Sequence, residues 1–210
     1  MGKIVTCDHP VLQHKLTLIR DANTSTSEFR TFVTETSMLM TYEMAKEFVL
    51  LSKPLTTPVA QTTGYRLQNQ NIVLVPILRA GLGMVEGILK LLPDARIGHI
   101  GMIRDHQTLE SNLYVVKLPR NIQDSFVIVA DPMLATGGSA NNALNVLKQA
   151  GCQSIKLMCL IASPEGIQCI KEAHPDVDIY LLGIDEYLDE QGYIIPGLGD
   201  AGDRLYGTED

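Results

Sequence analysis

FVIVADPMLATGGS, residues 126–139, is an apolar strand that runs into a single carboxylate, Asp131, and then into a glycine-rich turn. The helix-like stretch NNALNVLKQAG, residues 141–151, follows directly. Glycines in such a turn let main-chain N–H groups close on phosphate oxygens. Thr136 and Ser139 add hydroxyl donors, and the helix start behind them supplies a favourable field. Asp131, one turn earlier, is placed to accept hydrogen bonds from sugar hydroxyls. A strand, a carboxylate and a glycine-rich helix start in that order suit a sugar phosphate.

Outward from this stretch the chain alternates. NIVLVPIL (71–78) has strand character, GMVEGILKLL (83–92) is helical, and RIGHIGMI (96–103) is a strand that ends at Arg104. LYVVKL (113–118), SIKLMCLIA (154–162) and VDIYLLGI (177–184) are further strands. SANNALNVLKQAG (139–151) and PEGIQCIKEAH (164–174) are helices, the latter opened by Pro164. Apolar strands alternating with short helices predict an α/β protein with a mainly parallel twisted sheet flanked by helices. Ligands on such sheets sit at the carboxyl ends of the strands, where Arg79, Arg104 and Asp131 all fall.

The first third differs in texture. Pro10 opens a short helix over 10–21 with Val11, Leu12, Leu16 and Ile19 as its apolar positions. A longer helix starts near Ser25 or Ser27 and runs to about Leu50. Its stripe of Phe29, Phe32, Val33, Thr36, Met40, Met44 and Phe48 fits core packing better than a cofactor box. Residues 53–67 carry proline and alternating side chains, which predicts a projecting β-hairpin arm.

Composition narrows the function classes. The 210 residues suit one domain, with 45% hydrophobic and 20% charged residues. A net charge of −7 argues against a general nucleic-acid-binding surface, though not against a small anionic substrate held in a local positive site. Cys7, Cys152, Cys159 and Cys169 form no CxxC pair; Cys152, Cys159 and Cys169 lie in or beside apolar segments, so buried thiols in a reducing compartment are expected for them. The five histidines have no metal-ligand spacing. The start of the chain lacks a signal-peptide run, and no 18-residue apolar stretch could span a bilayer, so a cytoplasmic protein is expected.

Three separated motifs in order, VPILRAGLGM (75–84), DPMLATGGS (131–139) and GYIIPGLGDAGDRLYGT (192–208), together resemble the uracil phosphoribosyltransferase family, a branch of the type I phosphoribosyltransferases. Two consecutive acidic residues are usual ahead of the loop in the wider superfamily. Here Pro132 takes the second place, as in this branch. The resemblance implies one phosphoribosyltransferase domain over residues 1–210, with residues 53–67 as the arm, which contributes to a dimer contact, and 185–210 as the C-terminal uracil-binding hood. It implies transfer of phosphoribosyl from 5-phosphoribosyl diphosphate to uracil, giving uridine monophosphate and diphosphate, with Mg²⁺ carried by the donor. A homodimer or higher homo-oligomer, with GTP as a possible effector, is also implied.

By the same resemblance the donor lies along Asp131, Pro132, Met133, Leu134, Ala135, Thr136, Gly137, Gly138 and Ser139 and is met by Arg79, Arg104 and Asp200. Ile194, Gly199, Asp200 and Ala201 line the base end, with Arg79, Arg104 and Asp200 in the catalytic roles. The Arg79 loop in related enzymes often holds a non-proline cis peptide. Ile103 stands where tyrosine is common, and Ser111-Asn112 replace a frequent Pro-Val. His106 is expected to be solvated or in a mobile loop. A glycine-rich C-terminal loop suits uracil, whose O2, N3–H and O4 form an acceptor-donor-acceptor edge that backbone groups can complement. Cytosine reverses part of that edge, and a buried mismatch leaves polar groups unpaired.

Three rival readings are weaker. GLGMVEG after a strand is spaced G-x-G-x-x-x-G, with Glu86 where a dinucleotide fingerprint needs glycine. An RNA-binding regulator on the same scaffold would need a clustered basic face, which the acidic balance does not supply. A catalytically dead interaction protein would not keep all of the ligand-facing motif residues.

Overall fold

A computed structural model describes residues 2–68, 71–104 and 111–208. The chain opens with a short strand that no sequence pattern announces, β1 (Ile4–Thr6), and helix α1 (Pro10–Arg20). Leu12, Leu16 and Ile19 are buried as expected. Val11 is not: it falls off the i, i+4, i+7 stripe and is 46% exposed. Helix α2 (Thr26–Met44) begins with a reciprocal capping box. Glu28 N–H donates to Ser25 Oγ at 3.4 Å, and Ser25 N–H donates to Glu28 Oε2 at 3.1 Å.

The expected continuation of this helix to Leu50 is overturned. A 3-10 turn at Ala45–Glu47 ends it, and Phe48 swings inward so that its ring meets Phe126 edge-on, 5.1 Å between centroids. Burying an aromatic side chain against the sheet outweighs one more helical turn. The hairpin follows as β2 (Leu50–Thr56) and β3 (Gln61–Leu67), paired from Leu50↔Leu67 to Thr56↔Gln61. Its residues are exposed on both faces.

The α/β body comprises β4 (Ile72–Leu78), α3 (Leu82–Leu91), β5 (Arg96–Ile97), β6 (His99–Arg104), β7 (Ser111–Lys117), β8 (Phe126–Ala130), β9 (Met133–Leu134) and α4 (Gly138–Gln149). It continues through β10 (Ser154–Met158), β11 (Ile161–Ala162), α5 (Pro164–Ala173), β12 (Asp178–Leu181) and β13 (Gly183–Ile184). The chain closes with β14 (Tyr187–Leu188), β15 (Ile194–Ile195) and α6 (Ala201–Tyr206). The main sheet has the order β1-β12-β10-β8-β4-β6-β7, with β5 also on β4. All its pairings are parallel except β6 with β7.

Alternation along the central strands sets the layers. Ile72 and Leu74 of β4, with Phe126 and Ile128 of β8, face one core that α1, α2, α3 and α6 complete. Val73, Val75, Val127 and Val129 face the other, under α4 and α5. Such strands are buried on both faces, so their continuous β-branched runs contribute about 1.5–3 kcal/mol per side chain.

Three runs expected as single strands are each divided. Residues 96–103 break at Gly98 into β5 and β6. Residues 154–162 and 177–184 each leave the main sheet and re-pair in a small parallel sheet ordered β13-β11-β9. A hydrophobic run looks the same whether it stays in one sheet or crosses to another, so composition alone cannot mark the break.

Candidate active site

Strands β8, β4 and β6 are neighbours, which brings Asp131, Arg79 and Arg104 to the same end of the sheet, Asp131 following the partner of Pro76 and Arg104 lying three residues beyond the partner of Leu78. Arg104 closes β6, its backbone paired with Ser111. Asp105 and His106 lie outside the described residues. The Leu78–Arg79 peptide is cis, as the sequence resemblance implied.

Gly81 explains how the Arg79 turn lies so near Asp131. A Cβ there would stand 2.3 Å from the Ala130 carbonyl oxygen, so any side chain would push the turn away from the end of β8. Arg79 itself projects from this turn, 61% exposed along its side chain, with Nη2 3.6 Å from Asp203 Oδ1. The Tyr206 hydroxyl donates to the Arg79 carbonyl at 3.0 Å, so α6 holds the turn from outside. At the start of that helix Asp200 Oδ1 accepts from Asp203 N–H at 2.9 Å. A Cβ on Gly202 would lie 3.1 Å from Asp200 Oδ1 and 4.0 Å from Arg79 Nη2, so both side chains come close to this bare glycine.

The turn after β8 forms a concavity of about 180 Å³ lined by Asp131 and residues 133–140. Gly137 takes φ +84° at the start of α4, and a Cβ there would meet Cys169 Sγ at 2.9 Å. Only glycine satisfies both the left-handed backbone and the close approach of α5. Gly138 N–H donates to Thr136 Oγ1 at 3.4 Å, which curls the loop on itself.

Asp131 is the electrostatic centre of this concavity. Burial pushes its carboxyl up to about 7, against a weaker downward pull from Met133 N–H, which donates to Oδ1 at 3.4 Å. Cys159 lies buried nearby, its thiol pushed up first by burial and then by the Asp131 charge. A carboxylate in such a setting gains from hydroxyl donors delivered by a ligand.

Sequence reasoning missed the supports behind the loop. Ser163 is buried at the start of α5; its Oγ donates to the Ala135 carbonyl at 2.6 Å and accepts from Gly166 N–H at 2.9 Å. Its own N–H donates to the Leu134 carbonyl at 3.0 Å. Ser-Pro-Glu at 163–165 is a legible helix start, but its second task, gripping a distant loop, leaves no local signal. Cys169, expected among buried thiols, is only partly buried; Cys7, Cys152 and Cys159 are buried, and all four are free.

In the C-terminal segment, Ile194 and Ala201 are buried and Gly199 takes φ +76°. The Ile195–Pro196 peptide is cis. The strand pair β14–β15 and the cap of α6 bracket this segment. Among the described residues no set of three His, Cys, Asp or Glu side chains is grouped to hold a metal ion, and no helix is long and apolar enough to cross a membrane.

Carboxylate and glycine-rich turn at one strand end, an arginine turn at the next, and a C-terminal helix bonded to the arginine turn are the arrangement of a type I phosphoribosyltransferase. The fold agrees with a solved hypoxanthine phosphoribosyltransferase from Staphylococcus aureus, TM-score 0.52 over 80% of this chain and 85% of that one, at 15% identity. A protein of solved structure from Aquifex aeolicus is far nearer, with TM-score 0.94, 39% identity, and 98% and 99% of the two chains covered.

The family profile described as uracil phosphoribosyltransferase matches residues 5–208. Uracil phosphoribosyltransferases from Halalkalibacterium halodurans and Ligilactobacillus salivarius are 56% and 54% identical over 209 residues, covering all of each chain. The chain belongs to the uracil phosphoribosyltransferase family. It is a pentosyl-transferring enzyme by that membership, and the regulator reading finds no support.

Proposed function

We propose that the site joins uracil N1 to the anomeric carbon of 5-phosphoribosyl diphosphate, breaking the bond from that carbon to the diphosphate oxygen and forming uridine monophosphate, with release of diphosphate and the N1 proton. The observation that carries this reading is the adjacency of Asp131, the Gly137 turn and the Arg79 turn at neighbouring strand ends, with α6 bonded to the Arg79 turn.

The 5′-phosphate is held by main-chain N–H groups of residues 135–139 and by the Thr136 and Ser139 hydroxyls, at the start of α4. Asp131 accepts from the ribose hydroxyls. Arg79 and Arg104 bind the diphosphate, whose oxygens suit the guanidinium fork, and stabilise the charge that develops as it departs. The anomeric carbon gains oxocarbenium character while uracil N1 approaches from the opposite face. Backbone groups at Ile194, Gly199 and Ala201 meet the uracil edge, and Asp200 lies between base and ribose.

The side chains fit Mg²⁺ borne by the donor rather than a resident ion, since Mg²⁺ commonly takes one or two carboxylates plus substrate phosphates. Asp200 would be its protein oxygen. The ion would supply charge neutralisation on the diphosphate. Residues 1–210 act as one catalytic domain, with residues 53–67 as an arm toward a second copy and 185–210 as the base-binding hood. The exposed apolar residues of the β2–β3 hairpin, Leu50, Leu51, Leu55 and Tyr65, support a homodimer or larger assembly. A cytoplasmic setting fits the free thiols, and GTP as effector follows from the family resemblance alone. Purified protein given uracil, donor and Mg²⁺ should form uridine monophosphate and diphosphate in equal amounts. Absence of product from folded protein would reject the proposal.

A further inference from the structure

Three charged side chains outside the strand-end cluster converge on the segment that the base would meet. Arg20, the last residue of α1, forms a two-point ion pair with the buried Asp185: Nη1 donates to Oδ2 at 2.8 Å, and Nη2 donates to Oδ1. The pair also grips one residue of the hood from both sides. Gly197 N–H donates to Asp185 Oδ2 at 2.8 Å, and Arg20 Nη1 donates to the Gly197 carbonyl at 2.6 Å. Arg204, on α6, takes the next carbonyl, donating from Nη1 to Leu198 at 2.7 Å and to Ile19 at 2.6 Å. Its Nη2 donates to the Asp21 carbonyl at 2.6 Å, and its guanidinium stacks 4.3 Å above the Phe29 ring.

These bonds act on peptide groups, and a peptide group is planar. In a trans peptide, fixing the direction of a C=O fixes the following N–H in the opposite sense. The Leu198 carbonyl is drawn toward Arg204, so the Gly199 N–H points away from it. The Gly197 carbonyl is drawn toward Arg20, so the Leu198 N–H is turned away likewise. Gly197 at φ +66° and Gly199 at φ +76° are free to adopt whichever backbone these anchors demand. A glycine-rich segment without anchors would sample several orientations, and a base edge is discriminated only by donors and acceptors of fixed direction.

We infer that Arg20, Asp185 and Arg204 are positioning residues for pyrimidine recognition: they lock residues 197–199 against the end of α1 and thereby set the direction of the backbone groups offered to the base. None of the three touches the phosphate loop in the contacts described. The inference rests on the proposed reading of residues 194–201 as the base-binding segment. It predicts a division of labour, in which loosening the clamp harms the base while sparing the donor.

The test is steady-state kinetics of Arg20→Lys and Asp185→Asn, with KM measured separately for uracil and for 5-phosphoribosyl diphosphate. Lysine keeps the charge but loses the two-point fork; asparagine keeps the shape and an acceptor oxygen for Gly197 N–H but removes the counter-charge of Arg20, so its melting temperature is measured alongside. The expected result is a rise of about 10- to 100-fold in KM for uracil, the size of one lost charge-assisted hydrogen bond. Donor KM should stay within about twofold, and discrimination against cytosine should fall. Gly199→Ala, at φ +76°, perturbs the segment directly and serves as the reference. If Gly199→Ala raises the uracil KM but Arg20→Lys and Asp185→Asn only lower the melting temperature, the clamp is structural and the inference is overturned. The same holds if both KM values rise together. If Gly199→Ala leaves the uracil KM unchanged, the base-binding reading itself fails.

Discussion

Asp131→Asn is expected to stabilise the folded protein at pH 8 while weakening its hold on the donor. Burial raises the Asp131 carboxyl from 3.8 to about 7. A displacement of that size corresponds to about 4 kcal/mol. Its sign follows from proton linkage. The folded state binds the Asp131 proton more tightly than the unfolded chain, so the stability this group lends is complete below pH 3.8 and is lost as pH rises through about 7. Between those limits the loss grows by about 1.4 kcal/mol per pH unit.

Asparagine is close in shape, neutral throughout, and can still accept from Met133 N–H. Urea unfolding of both proteins at half-unit steps from pH 4 to pH 8.5 isolates the effect, because the other titrating groups cancel in the difference. That difference should be near zero at pH 4 and reach a plateau of up to about 4 kcal/mol in favour of the variant above pH 7. The variant should bind donor at least about tenfold more weakly, having lost a charged acceptor for the ribose hydroxyls. A difference independent of pH, or a wild type more stable at pH 8, would refute the burial argument.

Other consequences are equally open to measurement. Arg79→Ala should lower kcat/KM by about 10²–10³-fold with little change in melting temperature, because its side chain is 61% exposed. Near-normal turnover would remove it from the site. Ser163→Ala should raise donor KM by about tenfold and Ser163→Thr should restore it, since only the hydroxyl orients the Ala135 peptide. Equal donor KM in all three proteins would reduce Ser163 to a helix cap. Lys156 of β10 bridges Asp178, at the start of β12, and Glu47. Glu47 is held low by the Lys156 bond; Asp178 is opposed by burial but lowered on balance by Lys156 and by Lys3 N–H. Their contribution is present above the ordinary carboxylate range and lost as pH falls through it, so Lys156→Met should flatten the acid limb of a stability-versus-pH curve. An unchanged acid limb would show the bridge to be unimportant.

The strand-end positions of Asp131 and Arg79 were legible from sequence because the signal is local. Asp131, the glycine turn and the α4 start are consecutive, and Arg79 follows its strand directly, so periodicity and residue type locate them without tertiary knowledge. The central strands β4 and β8 are β-branched runs of the right length and are found for the same reason. What escaped depends on distant partners. The end of α2 is decided by Phe48 meeting Phe126, the split of residues 154–162 by a second sheet, and Val11 by which side of α1 faces the core. The Ser163–Ala135 bond and the Arg20–Asp185 pair join residues 28 and 165 positions apart, and nothing in either neighbourhood marks them.

A crystal structure of the protein with 5-phosphoribosyl diphosphate bound examines the account most directly. The 5′-phosphate should sit within hydrogen-bond distance of the N–H groups of residues 135–139, with Asp131 at the ribose hydroxyls and the diphosphate against Arg79. Donor bound with its phosphate away from that turn, or with no contact to Asp131, would contradict it.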